Sequence, residues 1–381
     1  MSDRAPASMF SPAGRLPATE RLMSIDALRG LDMFFIIGME EVFAALSEMV
    51  PMDPPLNDRL QHAPWAGFHF YDLIFPLFAF VMGTSLVFSL AKSVAVAGRG
   101  PTTWKIVRRS AILFLLGVWM YGGIAGGIEQ VRLLGVLQRL ALCYLAAGLA
   151  YVWMGRRGMV ALAVGLLAGY WALLGFVPVP GFGAGDLAEG RNLTNWIDKE
   201  FLPFRKWDGD HDPEGLLSTL PAVATTLLGV FAGMLLRNPA LEPARKVRLL
   251  LGWGAAGIAL GLLWHVPFPI IKKLWTSSFV LLTAGIGAML LGIFHQIVDL
   301  RGHRRWCRPF VWIGMNAITI YLLVHVIPLV PLARRIAGGG VHAALEQLHR
   351  GFGDLTLSLL ALAAAVWICR FLFVRGIFLR V

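Results

Sequence analysis

Charge is what this 381-residue chain has least of. Asp, Glu, Lys and Arg together make up 15%, against about 25% in an ordinary soluble domain. Hydrophobic residues make up 57%, and the mean hydropathy is +0.67. Too little polar surface remains to cover a water-soluble globule, so that class is excluded. Cysteine is scarce as well, with Cys143, Cys307 and Cys369 the only three. Two lie within apolar runs and one in a basic connector, so no disulfide framework is indicated. No low-complexity segment and no countable repeat is present. The first twenty residues hold Pro and Arg but no short apolar core with a cleavage site. No removable signal peptide is expected, and the first apolar run serves as the insertion signal.

What is abundant is apolar sequence in runs of about 20 residues, each long enough to cross a hydrocarbon core. The expected fold is therefore an all-α, polytopic membrane helix bundle. Ten spans are expected, at 27–49, 68–91, 108–126, 134–154, 158–178, 216–236, 248–267, 275–297, 309–331 and 355–377. A cytoplasmic segment over 1–23 would precede one transmembrane domain over 24–381. Lys and Arg are split unevenly between alternate connectors: 22 fall in one set and 11 in the other, with Arg139 inside a span. The richer set contains both chain ends, which places both termini in the cytoplasm. The net charge of +11 is thus a matter of topology and lipid headgroups, and no nucleic acid is needed to explain it. The main outer excursion is the loop 179–215, with a shorter one at 332–353.

Polar side chains inside such runs are costly and mark candidate sites. The first span opens SIDALRGLDMFFIIGMEEVF. Asp26 and Arg29 stand three apart and can pair across one helical turn, with Asp32 further in. Glu40 lies 14 residues beyond Asp26, about 21 Å along a helix, and at least one of Glu40 and Glu41 is expected to face a wet cavity. The fourth span carries Gln138 and Arg139. An arginine keeps its charge, so Arg139 needs a carboxylate, a phosphate or water; a structural ion pair with Asp26, Asp32 or Asp72 and a direct substrate contact are both open. Near the C-terminus, WIGMNAITIYLLVHV carries Asn316, Tyr321 and His325, where packing across helices suits the last two. His62, beside Trp65 at the mouth of the second span, is of another kind. A free imidazole titrates near neutral pH and suits general-base work. Asp72, ten residues on, could orient that ring only if the entry segment folds back.

Other patterns carry less. His69 and Asp72 lack a third ligand, and no metal site is expected. GFGAG at 181–185 has no strand and helix around it. Asp208, Asp210, Asp212 and Glu214 alternate as in a calcium loop, but Pro213 occupies the position where an EF-hand needs glycine; a solvated acidic patch is expected. Asn192-Leu193-Thr194 is a glycosylation sequon in an outer loop.

Six blocks in order carry more than any single motif: RLMSIDALRGL, HAPWAGFHFYDLIFPLFAFVMG, VRLLGVLQRL, DPEGLLSTL, LWTSSFV and GMNAITIY. In that order the chain resembles the heparan-α-glucosaminide N-acetyltransferase family over nearly all of its length after residue 20. It looks like a bacterial-type member without the large lumenal region of the animal enzyme. The resemblance implies a multi-pass protein of the bacterial inner membrane that takes acetyl groups from cytoplasmic acetyl-CoA and gives them to a glucosamine-type amino sugar outside. It implies His62, within His62-Ala63-Pro64-Trp65, as the active-site histidine, with Asp72 and Glu40 beside it in catalysis. Glu40 stands where the family has an asparagine, and Ala66 replaces a second one. Arg29, Gln138, Arg139 and Asn316 would serve the acetyl-CoA donor. Trp65, Glu40, Asp212 and Glu214 would serve the acceptor. A homodimer in contact with membrane lipids is a further implication. The alternative is an inner-membrane transporter of N-acetylglucosamine or a related sugar, alternating access around Asp32, Glu40 and Arg139.

Overall fold

The computed structural model describes residues 22–50 and 60–379. The expectations about a leader and most of the 1–23 segment lie outside the described residues. In chain order the helices are α1 (Met23–Phe34), α2 (Glu40–Met49), α3 (Ile74–Ala97), α4 (Arg99–Met120), α5 (Val136–Trp153), α6 (Arg156–Phe176), α7 (Leu193–Phe201) and α8 (Thr219–Arg237). They continue with α9 (Pro243–His265), α10 (Ser277–Phe294), α11 (Arg308–Met315), α12 (Ala317–Val326), α13 (Leu329–Ala337), α14 (Gly340–Leu348) and α15 (Phe352–Val374). No strand forms among the described residues; three isolated β-bridges do. The all-helical expectation holds.

Among the described residues, seven helices are long and apolar enough to cross a membrane: Phe70–Ala97, Val136–Trp153, Arg156–Phe176, Thr219–Arg237, Pro243–His265, Ser277–Leu300 and Phe352–Val374. α11 and α12 make an eighth only as a pair bent by 77°, so the straight span expected over 309–331 is broken at Asn316. The expected span 27–49 is instead interrupted by a π-helical stretch, Phe35–Met39, around Gly38. The one at 108–126 belongs to α4, whose apolar part begins among Lys105, Arg108 and Arg109. Hydropathy counts apolar residues, but it does not register a break in the backbone or a helix that starts in basic sequence.

By contact the chain falls into two compact units, one of residues 1–57, 237–248 and 290–380 and the other of 58–236 and 249–289. In the second, a core of Leu86, Leu90, Ile106, Tyr144, Leu227, Val230, Trp275 and Phe279 joins helices α3 to α6, α8 and α10. α3 and α8 touch backbone to backbone: a Cβ on Gly83 would stand 2.0 Å from the Thr226 carbonyl oxygen, and one on Gly229 2.0 Å from that of Phe80. Such small-residue contacts replace the hydrophobic drive that lipid removes. Thr225, Thr226 and Thr283 each return the hydroxyl to a carbonyl one turn earlier. That satisfies donors which have no water to bond.

The first unit uses the same device. A Cβ on Gly30 of α1 would stand 1.7 Å from the Phe310 carbonyl oxygen, and one on Gly314 of α11 2.0 Å from that of Asp26. The expected pair forms there, Arg29 to Asp26 at 3.2 Å, and Arg29 also donates to the Gly314 carbonyl at 3.1 Å. Asp32 is buried, and neither carboxyl oxygen has a hydrogen-bond partner. His295 and Asp299 pair at 2.8 Å in a second π segment.

Candidate active site

The described entry segment, residues 60–69, does fold back. His69 is extended and caps a short 3₁₀ turn, Phe70–Leu73, that leads into α3. Asp72 lies on that turn with its side chain fully buried. One of its oxygens accepts the backbone N–H groups of His69 (2.8 Å) and Ala63 (3.2 Å). The other lies 2.9 Å from Nδ1 of His62. A carboxylate only accepts hydrogen bonds, so a neutral His62 must carry its proton on Nδ1. That leaves the lone pair on Nε2. The ring is 54% exposed and has Tyr71 edge-on at 6.0 Å. A buried aspartate thus holds an accessible imidazole in one tautomer, the arrangement that makes a histidine a directed base or nucleophile.

No motif marks the third member. Lys272 lies 210 residues along the chain from His62, yet its Nζ stands 2.9 Å from Nε2 and 2.7 Å from Nδ1 of that ring, and 3.8 Å from Asp72. Since Nδ1 carries the proton, only Nε2 can accept from the ammonium. Lys272 comes there because the loop after α9 is stitched to the His62 segment. Ala66 and Ile271 form an antiparallel bridge, and Gly67 N–H donates to the Ile270 carbonyl at 2.9 Å. The turn then closes through Trp275 N–H to the Lys272 carbonyl at 2.9 Å, with Trp275 at φ 54. A bulky residue in that left-handed region is strained and persists only where its surroundings insist. Here they do: the Trp275 ring is buried, and its Nε1 donates to Thr225. The LWTSSFV block is therefore the anchor of the lysine turn. Burial, above all, lowers the Lys272 pKa to about 8, against the attraction of Asp72 and Glu214. Its only sequence signal was a pair of lysines, Lys272-Lys273, at a span edge, where basic residues are ordinary.

The neighbouring loop carries a second cluster. Arg132, just before α5, grips Asp212 with two bonds of 2.9 and 2.7 Å and reaches Glu214 at 2.7 Å. The rings of Tyr121 (4.5 Å) and Trp207 (4.7 Å) both pack against its guanidinium. Asp212 also accepts the N–H groups of Trp207 and Glu214. Asp212 is buried, so the solvated acidic patch expected at 208–214 is not what forms, and neither Asp212 nor Glu214 is an open cation trap. Burial raises the Glu214 pKa although Arg139 and Arg132 oppose it. Asp198 of α7 accepts the N–H groups of Leu216 and Asp212, and burial pushes its pKa up to about 6.

Arg139 is 1% exposed. Its guanidinium donates to the carbonyls of Pro213 and Gly215 and to Ser218, and lies 4.9 Å from the Trp275 ring. Within this unit Asp72 goes to His62 and Lys272, so the ion pair expected between Arg139 and Asp72 does not form. Arg139 instead clamps the DPEG loop, while its Nε and Nη1 have no hydrogen-bond partner. Gln138 is fully buried and donates to the Arg132 carbonyl at 3.2 Å. Trp65 donates from Nε1 to the Leu187 carbonyl. Glu189, Asp208 and His211 come within 4.8 Å of one another, as metal ligands would. Lys273 Nζ already stands 2.7 and 2.9 Å from the two carboxylates and supplies their counter-charge. Asn192 is buried and caps α7 by accepting from Asn195 N–H, which puts the sequon out of reach of a glycosylating enzyme.

Glu40, Arg29 and Asn316 belong to the other unit. Glu40 and Glu41 open α2 and are exposed within it. Asn316 is buried at the break before α12 and donates to the Trp312 carbonyl at 3.1 Å, while its side-chain Oδ1 has no partner. His325 bonds the Tyr321 carbonyl and packs tilted against its ring, as packing residues do.

No family model matches the chain. Two curated relatives do. A Mus musculus protein described as heparan-alpha-glucosaminide N-acetyltransferase is 27% identical over 378 residues, which is 82% of this chain and 54% of the relative. A Homo sapiens protein of the same description is 26% identical over 367 residues, 79% of this chain and 52% of the relative. The chain spans about half the length of the curated relatives it matches.

Proposed function

With the chain recognised as a homologue of the heparan-α-glucosaminide N-acetyltransferases, we propose that it is a membrane-embedded acetyltransferase that moves the acetyl group of cytoplasmic acetyl-CoA to the amine of a glucosamine-type sugar on the outer side. The observation that carries this reading is the His62–Asp72 pair: a buried carboxylate fixes Nδ1–H and makes Nε2 the basic nitrogen of an exposed ring. In the reaction the neutral sugar amine attacks the thioester carbonyl carbon. Nε2 of His62 takes the proton that the nitrogen must shed, and Asp72 stabilises the imidazolium. Direct transfer is favoured over an acetyl-histidine, because Nε2 lies under the Lys272 ammonium and is better placed to exchange protons than to attack carbon. Trp65, in the His62 segment and held by the Leu187 carbonyl of the loop 179–215, is proposed as a wall for the sugar face. The Arg132 cluster and Arg139 hold the outer loop in shape around this site.

The test is acetyl transfer by purified protein in detergent, with labelled acetyl-CoA and glucosamine. Acetylated sugar made without a sealed compartment, and lost in His62→Ala, supports the enzyme. Sugar uptake into vesicles that survives His62→Ala, with no acetylated product, overturns it in favour of a transporter.

A further inference from the structure

Acyl transfer from a thioester has a second proton problem that His62 alone does not solve. The amine gives up a proton, and the departing thiolate must acquire one. An ammonium within hydrogen-bond distance of the imidazole Nε2, at 2.9 Å, stands between those two events. Resting on the acetyl-transfer reading above, we propose that Lys272 is the general acid of the reaction, passing a proton to the leaving sulfur of a thioester donor and recovering it from His62.

The proton balance closes without any further reactant. As the new C–N bond forms, His62 Nε2 takes the proton from the amine nitrogen. As the C–S bond breaks, Lys272 gives one of its three protons to the sulfur, so the donor leaves as a thiol. The neutral Lys272 amine then takes the proton from His62 Nε2, which lies 2.9 Å away, and both residues return to their starting states. Net, one proton moves from amine to thiolate. The groups that set this ammonium's charge are His62, Asp72 at 3.8 Å, and the nearby charges of Glu214 and Lys273. The Lys272 side chain is 19% exposed, and a lysine with a pKa of about 8 is acid enough to protonate a departing alkyl thiolate, the condition for efficient proton transfer. The rigid turn locked by Trp275 and by the Ala66–Ile271 bridge keeps Nζ in place.

The experiment compares acetyl-CoA with its selenium analogue, which is nearly isosteric but departs as a selenolate that needs no proton. Lys272→Gln is expected to be slower than wild type by about 10²-fold or more with acetyl-CoA and to recover most of that loss with the selenoester. Lys272→Arg keeps the charge but holds no transferable proton, so it is expected to behave like Lys272→Gln. In wild type the thioester rate falls above about pH 8 as Lys272 deprotonates, and the selenoester rate lacks that limb. Melting temperatures in detergent check that both variants are folded. Equal loss with the two donors, or full rescue by Lys272→Arg, overturns the general-acid role, the latter in favour of a fixed positive charge. If wild type transfers acetyl from neither donor, the acetyltransferase reading itself fails and this one with it; a wild type that works while Lys272→Gln loses nothing sinks this inference alone.

Discussion

Two cation–carboxylate clusters stand in the same unit, made from the same kinds of side chain, and they are finished differently. At Arg132 every strong bond is closed: two to Asp212, one to Glu214, and two aromatic rings packed against the guanidinium. Around His62 the set is left open. Asp72 is saturated by two backbone N–H groups and the imidazole, but the ring is exposed and its lone pair faces a lysine that burial has made willing to lose its proton. A closed set holds a loop. An open one, with a proton that can move, does chemistry. The difference lies in the choice of cation: arginine cannot give up its charge at accessible pH, whereas lysine can.

Substitutions that treat the two clusters alike will separate them. Arg132→Met strands two carboxylates, at least one of them fully buried, and is expected to cost about 3–5 kcal/mol of stability. Its measure is the melting temperature in detergent, and a variant as stable as wild type would show that the latch holds nothing. Asp72→Asn keeps the shape but releases the tautomer. The expected result is a fall of about 10²-fold or more in acetyl transfer with the KM for acetyl-CoA little changed; a selective rise in KM would instead make Asp72 part of the donor site. Asp198 offers the mildest contrast, because its raised pKa comes from burial rather than from a cation. A carboxyl whose folded pKa of about 6 lies above its ordinary value stabilises the fold most at low pH and loses that contribution as pH rises from about 4 through 6. Relative to Asp198→Asn, wild type is therefore expected to lose at most about 3 kcal/mol over that window. Parallel melting curves across it would refute the assignment.

Much of the helical architecture was legible because hydropathy over 20 residues is a strong signal. The His62–Asp72 pair was legible on one condition, that the segment between them fold back, and the 3₁₀ turn at Phe70–Leu73 meets it. Lys272 was not legible: two lysines at the edge of a span look like topology, and their approach to His62 depends on an isolated bridge between Ala66 and Ile271 that leaves no pattern in either segment. Asp212 and Glu214 were misread for a related reason. A run of acids looks solvated until a distant arginine, here Arg132, is folded onto it. The break at Asn316 was hidden because an apolar run bent by 77° has the same composition as a straight one.

The mutual seating of Gly30 and Gly314 has a mechanical consequence. Where backbones meet with no side chain between them, neither helix can roll or slide past the other without collision, since even one added carbon would lie 1.7 or 2.0 Å from a carbonyl oxygen. α1 and α11 are therefore welded into one rigid strut. The chain leaves this strut through two breaks, the π-helical stretch Phe35–Met39 and the elbow beside Asn316, which are where α2 and α12 can pivot on it.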